Sequence, residues 1–147
     1  MPSQNPLGTL LLAAGVLPWA IGCAEDLPQA YHHGLACLDR GDLDGAIACF
    51  DEALRVAPAL AEAHYQRGLA FFRRGQAHHQ RRDLDQALLD NDRAIFECGA
   101  ALGLRRSHAA AALLRKEALA TGELYKREFD LDDAVRRADQ AVAHAPD

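Results

Sequence analysis

A spacing of 34 positions organises the middle of this sequence. It joins four pairs of identical residues: Tyr31 and Tyr65, Gly34 and Gly68, Leu35 and Leu69, Gly41 and Gly75. A period of this length is typical of chains built from stacked copies of one small unit. One such unit cannot bury its own apolar face, so the chain is expected to fold as a stack in which neighbours cover one another.

A second offset, of 88 positions, relates the first copy to the last part of the chain. The residues repeated are Gly34, Asp42, Leu43, Asp44, Ala46, Ala53 and Pro58, which return as Gly122, Asp130, Leu131, Asp132, Ala134, Ala141 and Pro146. In the second half of the middle copy the offset from the first copy is 41 instead of 34. Asp42, Leu43, Asp44 and Ala46 return there as Asp83, Leu84, Asp85 and Ala87, and the difference implies seven inserted residues. We predict repeats at about 27–60, 61–101 and 115–147, with a helical extension at 102–114.

Each copy has the pattern of a helix, a tight turn and a second helix. In the first copy, Gly41 supplies the left-handed residue that ends one helix, and Asp42 caps the next. Asp83 and Asp130 are predicted to cap the corresponding helices. The insertion after Gly75 contains no glycine or proline, so we expect a longer hairpin there. The same absence of proline predicts one long helix from about residue 104 to 128.

Composition favours helices and excludes several functions. Lys and Arg total 16 against 21 Asp and Glu, a net charge of -5, which is the wrong sign for a nucleic-acid partner. The four cysteines form no CxxC motif, and the adjacent histidine pairs, His32 with His33 and His78 with His79, point apart on a helix. We therefore expect no metal, no cofactor and no catalytic group, and so no enzyme.

The repeated residues resemble the tetratricopeptide repeat (TPR), whose 34-residue unit has small and large residues at fixed places. In the first unit these places hold Gly34, Ala46, Phe50, Ala53 and Pro58. The second unit has Gly68, Phe71, Ala87, Asn91 and Ala94, and the third has Gly122, Tyr125, Ala134, Ala138, Ala141 and Pro146. The resemblance implies an all-α, TPR-like solenoid of helical hairpins, with about three repeats and extended hairpin helices in repeats two and three.

The resemblance also implies a concave groove, lined by the first helix of each hairpin, that binds a peptide or helix of a partner protein. The residues at the groove places of this chain include Tyr31, Leu35, Leu38, Tyr65, Leu69, Phe72, Arg73, Lys116 and Lys126. The first six form an apolar ladder and the last three a basic rim. The alternative is that part of this ladder is covered by the chain's own N-terminus.

The residues from Leu7 to Gly22 form a nearly continuous apolar stretch that resembles the core of a bacterial signal peptide. It ends at Cys23, which stands where a lipoprotein signal has its lipidated cysteine. We expect segment 1–24 to direct the chain to the cell envelope or outside the cell, with membrane attachment only through a lipid on Cys23. The alternative is a retained apolar N-terminal helix.

These expectations define three functional hypotheses. The first is a protein-binding scaffold that supports assembly of an envelope complex. The second is a cytoplasmic TPR adaptor that keeps its N-terminal helix. The third is a structural homo-oligomer in which the long helix of the third unit pairs with its own kind.

Overall fold

The computed structural model describes residues 27–143, which form five α-helices and no strand. The helices are α1 (Gln29–Asp39), α2 (Leu43–Val56), α3 (Ala61–Gln80), α4 (Leu84–Leu104) and α5 (Ala109–Ala143). Each helix packs against the next one in the chain, and α3 also contacts α1 and α5. The predicted fold class is confirmed: the chain is all-α, and consecutive helices pack in pairs as in a TPR-like helical repeat.

The turn of the first hairpin follows the sequence prediction. Gly41 adopts a left-handed conformation with φ of 76°, and the N–H of Asp42 donates back to the carbonyl oxygen of Cys37 at 2.9 Å. The Asp42 side chain then accepts from the backbone N–H of Gly45 at 3.0 Å. A left-handed residue and a capping carboxylate together end α1 and begin α2.

The second hairpin repeats this turn with longer helices. Helices α3 and α4 have 20 and 21 residues, against 11 and 14 in α1 and α2, so the predicted lengthening is confirmed. Arg82 takes the left-handed place with φ of 63°, and Asp83 caps α4 by accepting from the N–H of Gln86 at 3.3 Å. A non-glycine residue can occupy this region only at some cost, so the turn geometry is held by the cap and the packing around it.

A turn separates α4 from α5 where the sequence predicts a continuous helix. Helix α4 ends at Leu104 and α5 begins at Ala109, so a four-residue turn interrupts the helical extension predicted at 102–114. His108 closes this turn because its Nδ1 accepts from the backbone N–H of Ala111 at 3.2 Å. The long helix predicted from residue 104 therefore starts five residues later.

The turn predicted before Asp130 is wrong, because α5 runs without a break from Ala109 to Ala143. The position that corresponds to Gly41 of the first hairpin is held by Phe129, which is part of the helix. A bulky residue resists the left-handed conformation that such a turn needs. The third unit is thus one long helix within residues 27–143, and Asp130 caps nothing.

Two apolar clusters form the core on either side of α3. The first joins α1, α2 and α3 around Phe50, which is fully buried. The second joins α3, α4 and α5, and contains Phe72, Ala94, Cys98, Leu114 and Ala118. Because α3 contributes to both clusters, it is the central element of the stack.

Two of the repeated glycines, Gly34 and Gly68, stand where helices cross. A Cβ added to Gly34 would lie 2.6–2.8 Å from three atoms of the Phe50 ring, so α1 and α2 approach closely only because Gly34 has no side chain. Gly68 similarly faces Ala94, Glu97 and Cys98 of α4. The close contacts at these two crossings agree with the predicted pairing of small and large residues.

Two segments with sequence predictions lie outside the described residues. Segment 1–24, with Cys23, is one, and the end of the third repeat with Pro146 is the other. The repeat boundaries and the signal-peptide interpretation therefore stay predictions. Within residues 27–143, no helix combines the length and apolar character needed to cross a membrane.

Replacing Gly34 with alanine should destabilise the protein, whereas replacing Gly99 with alanine should stabilise it. Both glycines are helical, and alanine gains about 0.5–1 kcal/mol in helix propensity at either place. At Gly34 the new methyl group meets the Phe50 ring, and overpacking costs about 1–3 kcal/mol. At Gly99 it meets nothing within 4 Å. Urea denaturation of both variants tests this, and equal shifts of the same sign would contradict the close crossing.

Candidate protein-binding face

We call the side of the stack on which α3 contacts both α1 and α5 the inner face, and the resemblance places the groove there. Three members of the predicted apolar ladder are core residues: Tyr31, Leu38 and Phe72 are only 5–6% exposed. The Tyr31 ring packs against Phe50, with ring centroids 5.8 Å apart. These three side chains hold the helices together and offer a partner little surface.

The other three ladder residues, Leu35, Tyr65 and Leu69, are half-buried. Leu35 packs against the cluster of α1, α2 and α3, whereas Tyr65 and Leu69 pack against the cluster of α3, α4 and α5. The ladder is therefore divided between two clusters and is partly covered by the chain's own helix α5. Each of these three residues nevertheless keeps part of its surface accessible.

The predicted basic rim is exposed at all three places, Arg73, Lys116 and Lys126. Lys126 lies 3.4 Å from the Glu123 carboxylate on its own helix. Among residues 27–143, no carboxylate lies within ion-pairing distance of Arg73 or Lys116. These two cations are thus available to an acidic partner.

Glu62 lies at the centre of this face, a role that the sequence did not reveal. Its carboxylate accepts from His108 Nε2 at 2.9 Å, which ties the start of α5 to α3. Burial and the nearby charge of Glu62 raise the pKa of the Tyr31 and Tyr65 hydroxyls. The His108 ring packs against Tyr65 with centroids 4.9 Å apart. The hydrogen bond and the ring contact of His108 therefore hold the start of α5 against α3.

Two arginines of α3 connect the second helices of both hairpins. Arg74 forms a bidentate pair with the buried Asp90 of α4 at 2.7 and 2.8 Å, and also contacts Asp44 of α2. The hydrogen bonds to Asp90 raise the pKa of the Arg74 guanidinium. Arg67, about two turns earlier in α3, connects Asp51 of α2 to Glu97 of α4, the latter at 2.7 Å.

Asn91 explains why α5 crosses α4 where it does. It is fully buried, and its Nδ2 donates to the carbonyl oxygen of Ala118 at 2.8 Å. Gly122 leaves room for this amide, because a Cβ there would lie 2.7 Å from Nδ2. In the repeat pattern Asn91 replaces a large apolar residue. In the structure its side chain forms a hydrogen bond between the second and third units.

The outer face carries a second apolar surface that the repeat pattern did not predict. Phe96 of α4 is 72% exposed. It borders a groove of about 410 Å³ that also contains Phe71 and Leu89. The guanidinium groups of Arg74 and Arg93 lie over the Phe71 ring at 5.3 and 5.4 Å. The sequence feature that could have revealed this surface is Phe96 itself, because it follows the charged residues Asp92 and Arg93 of α4.

The remaining groups with chemical potential in the described part of the chain are three thiols and the possible metal ligands. Between residues 27 and 143, no group of three or more His, Cys, Asp or Glu side chains is placed to hold a metal ion. Cys37, Cys49 and Cys98 are free thiols, and burial raises the pKa of Cys98 to about 11, which leaves its thiol protonated and unreactive near neutral pH.

Comparison with known families agrees with this geometry. Residues 34–75 match the family model of the TPR repeat. The matched span runs from the middle of α1 to Gly75 of α3, and it supports the TPR family for this chain. TPR repeats in general mediate contacts between proteins, and TPR proteins are generally scaffolds without enzymatic activity. No curated protein matches the chain.

The two carboxylates that contact Arg74 should differ greatly in their contribution to stability. The Asp90 side chain is 1% exposed and the Asp44 side chain is 81% exposed. Replacing Asp90 with asparagine should lower the free energy of unfolding by about 3 kcal/mol, because it disrupts a buried pair. Replacing Asp44 with asparagine should cost less than about 1 kcal/mol. Urea denaturation measures both, and similar losses would show that burial does not decide the strength of this network.

Proposed function

We propose that the protein is a scaffold that binds an amphipathic segment of a partner protein on its inner face. The observation that supports this is that Leu35, Tyr65 and Leu69 stay half-exposed on α1 and α3, while Arg73 of α3 and Lys116 of α5 are exposed. The apolar edges favour leucine or aromatic side chains of a bound helix, and the free cations favour acidic residues on its flank.

The partner is expected to be acidic on one side only. The whole chain has a net charge of -5, so long-range attraction does not bring an acidic segment to it. Attraction arises instead near Arg73 and Lys116, within a Debye length of about 8 Å at physiological salt. Binding should therefore depend on salt only modestly and on the apolar residues strongly.

Peptides selected from a displayed library on the full chain should combine apolar residues at helical spacing with Asp or Glu. Reversing Arg73 and Lys116 together to glutamate should weaken such a peptide by about tenfold or more, a change of about 1.4 kcal/mol. Fluorescence anisotropy with the labelled peptide measures the affinity. The matched control is Arg55→Glu with Arg81→Glu, which changes the net charge equally at exposed places elsewhere.

Two results would overturn the inner face as the binding site. One is an equal loss of affinity in the control variant. The other is a loss on Phe96→Ser alone, which would place the partner on the outer face. Phe72 is not a suitable place for such a test, because it is a core residue and its replacement changes folding.

We also propose that the scaffold acts at the cell envelope or outside the cell, in assembly of a larger complex. This rests on the apolar stretch Leu7 to Gly22 and on Cys23 after it. Mass spectrometry of the protein from its own cells distinguishes the alternatives. A lipid on Cys23 or a new N-terminus at Glu25 supports export, and an intact N-terminus supports a cytoplasmic adaptor.

A further inference from the structure

The first hairpin holds two cysteines on neighbouring helices. Cys37 lies on α1 and Cys49 on α2, and both pack in the apolar cluster around Phe50. Cys37 is 8% exposed, and Cys49 is half-buried. Both are free thiols in the structure.

The close crossing of α1 and α2 brings these cysteines to a similar level of the hairpin. Gly34 of α1 lies against the ring of Phe50 of α2. Cys37 is three positions beyond Gly34 toward the hairpin turn, and Cys49 is one position from Phe50 in the same direction along the hairpin. At 1.5 Å per residue, the two cysteines therefore differ in level by about 3 Å along the helix axes.

The two thiol groups also interact with each other. Burial raises the pKa of the Cys49 thiol, and the next causes are the charge of Cys37 and a hydrogen bond between the two side chains. The third described cysteine, Cys98, is fully buried on α4 in the other apolar cluster. Cys37 and Cys49 are thus a pair, and Cys98 is separate from them.

Arg40 places a positive charge beside this pair. Its Nη2 donates to Cys37 Sγ at 3.3 Å. The same charge acts on Cys49, where it opposes the effect of burial. Because the thiolate is the reactive form of cysteine in disulfide chemistry, a cation next to the sulfur atoms favours their reaction.

We propose that Cys37 and Cys49 are a disulfide-forming pair, which a small-molecule disulfide such as oxidised glutathione converts into a bridge between α1 and α2. The bridge holds α1 on α2, and α1 is a helix of 11 residues that has no side-chain cap at its N-terminus. This modification goes beyond the binding of a partner on the inner face and does not depend on it.

The bridge forms in two exchange steps. Cys49, the more accessible thiol, gives its proton to water and attacks the oxidant, so that a mixed disulfide forms and one thiolate leaves and takes up a proton. Cys37 then attacks the Cys49 sulfur in the same way and releases the second thiol. Two protein thiols are oxidised to one disulfide, and one small disulfide is reduced to two thiols. The raised pKa of Cys49 makes the first step slow at neutral pH and faster at alkaline pH.

The first experiment treats the folded full chain with mixtures of oxidised and reduced glutathione and measures its intact mass. We expect a loss of two hydrogens, about 2 Da, with no glutathione left attached. Trypsin cleaves after Arg40, which lies between the two cysteines, so the bridge should join peptide 41–55 to the peptide that ends at Arg40.

Four single variants identify the sulfur atoms that react. Cys49→Ser should form no bridge, whereas Cys37→Ser should stop at a mixed disulfide on Cys49, because the thiol that closes the bridge is missing. Cys23→Ser and Cys98→Ser are the matched controls, and both should lose two hydrogens as the full chain does. Circular dichroism checks that each variant keeps its helices.

The second experiment compares thermal unfolding of the oxidised and the reduced protein. A bridge between residues twelve positions apart restricts the unfolded chain, so oxidation should raise the Tm by about 5–10 °C. The rise should disappear when dithiothreitol reduces the bridge, and it should be absent in Cys49→Ser.

The proposal fails on any of four results. The first is a chain that loses no hydrogen even in oxidised glutathione alone. The second is a bridge that forms only in urea, which would mean that the two sulfur atoms are out of reach in the folded hairpin. The third is a bridge from Cys49 to Cys23 or Cys98 in place of Cys37. The fourth is a lower Tm after oxidation, which would show that the bridge does not fit the native hairpin.

Discussion

The close approach of helices at positions without a side chain is the constraint on which the stack depends. Phe50 fills the space left by Gly34, and Asn91 reaches Ala118 only because Gly122 has no Cβ. Dispersion contacts fall off steeply with distance, so a separation of even one methyl group would loosen the packing on both sides of the crossing. The small residues of the repeat therefore set the positions of all neighbouring side chains, including those of the inner face.

Charged residues then fix the order and register of the units. Arg67 and Arg74 of α3 each join a carboxylate of α2 to a buried carboxylate of α4. Buried pairs of this kind add little net stability compared with apolar packing, but an unpaired Asp90 or Glu97 would be costly, so other registers of α4 on α3 are penalised. The apolar clusters provide the driving force, and these pairs select one arrangement among similar ones.

The turns and helix caps could be predicted from the sequence because they depend on residues close together in the chain. The burial of side chains that face another helix could not, because it depends on where that helix packs. Gly41, Asp42 and Asp83 act within one turn, and their roles could be predicted because a left-handed residue and a cap need no distant partner. The resemblance to the repeat placed Phe72 at the groove, but it could not show that α4 and α5 would make Phe72 a core residue. The turn at Asp130 was predicted from repeated residues around it, although Phe129 at the turn itself favours a continuous helix.

The third unit illustrates how one residue at a turn determines where an apolar stripe is buried. Burying a side chain such as Leu131, Val135 or Val142 contributes about 1.5–3 kcal/mol each, whereas a left-handed residue other than glycine costs about 1–2 kcal/mol. Covering these side chains is therefore favoured, but a hairpin like the first one requires Phe129 to leave the helix and adopt a left-handed conformation. The exposure of these residues therefore follows from the residue at the turn and not from a weaker apolar pattern in the third unit.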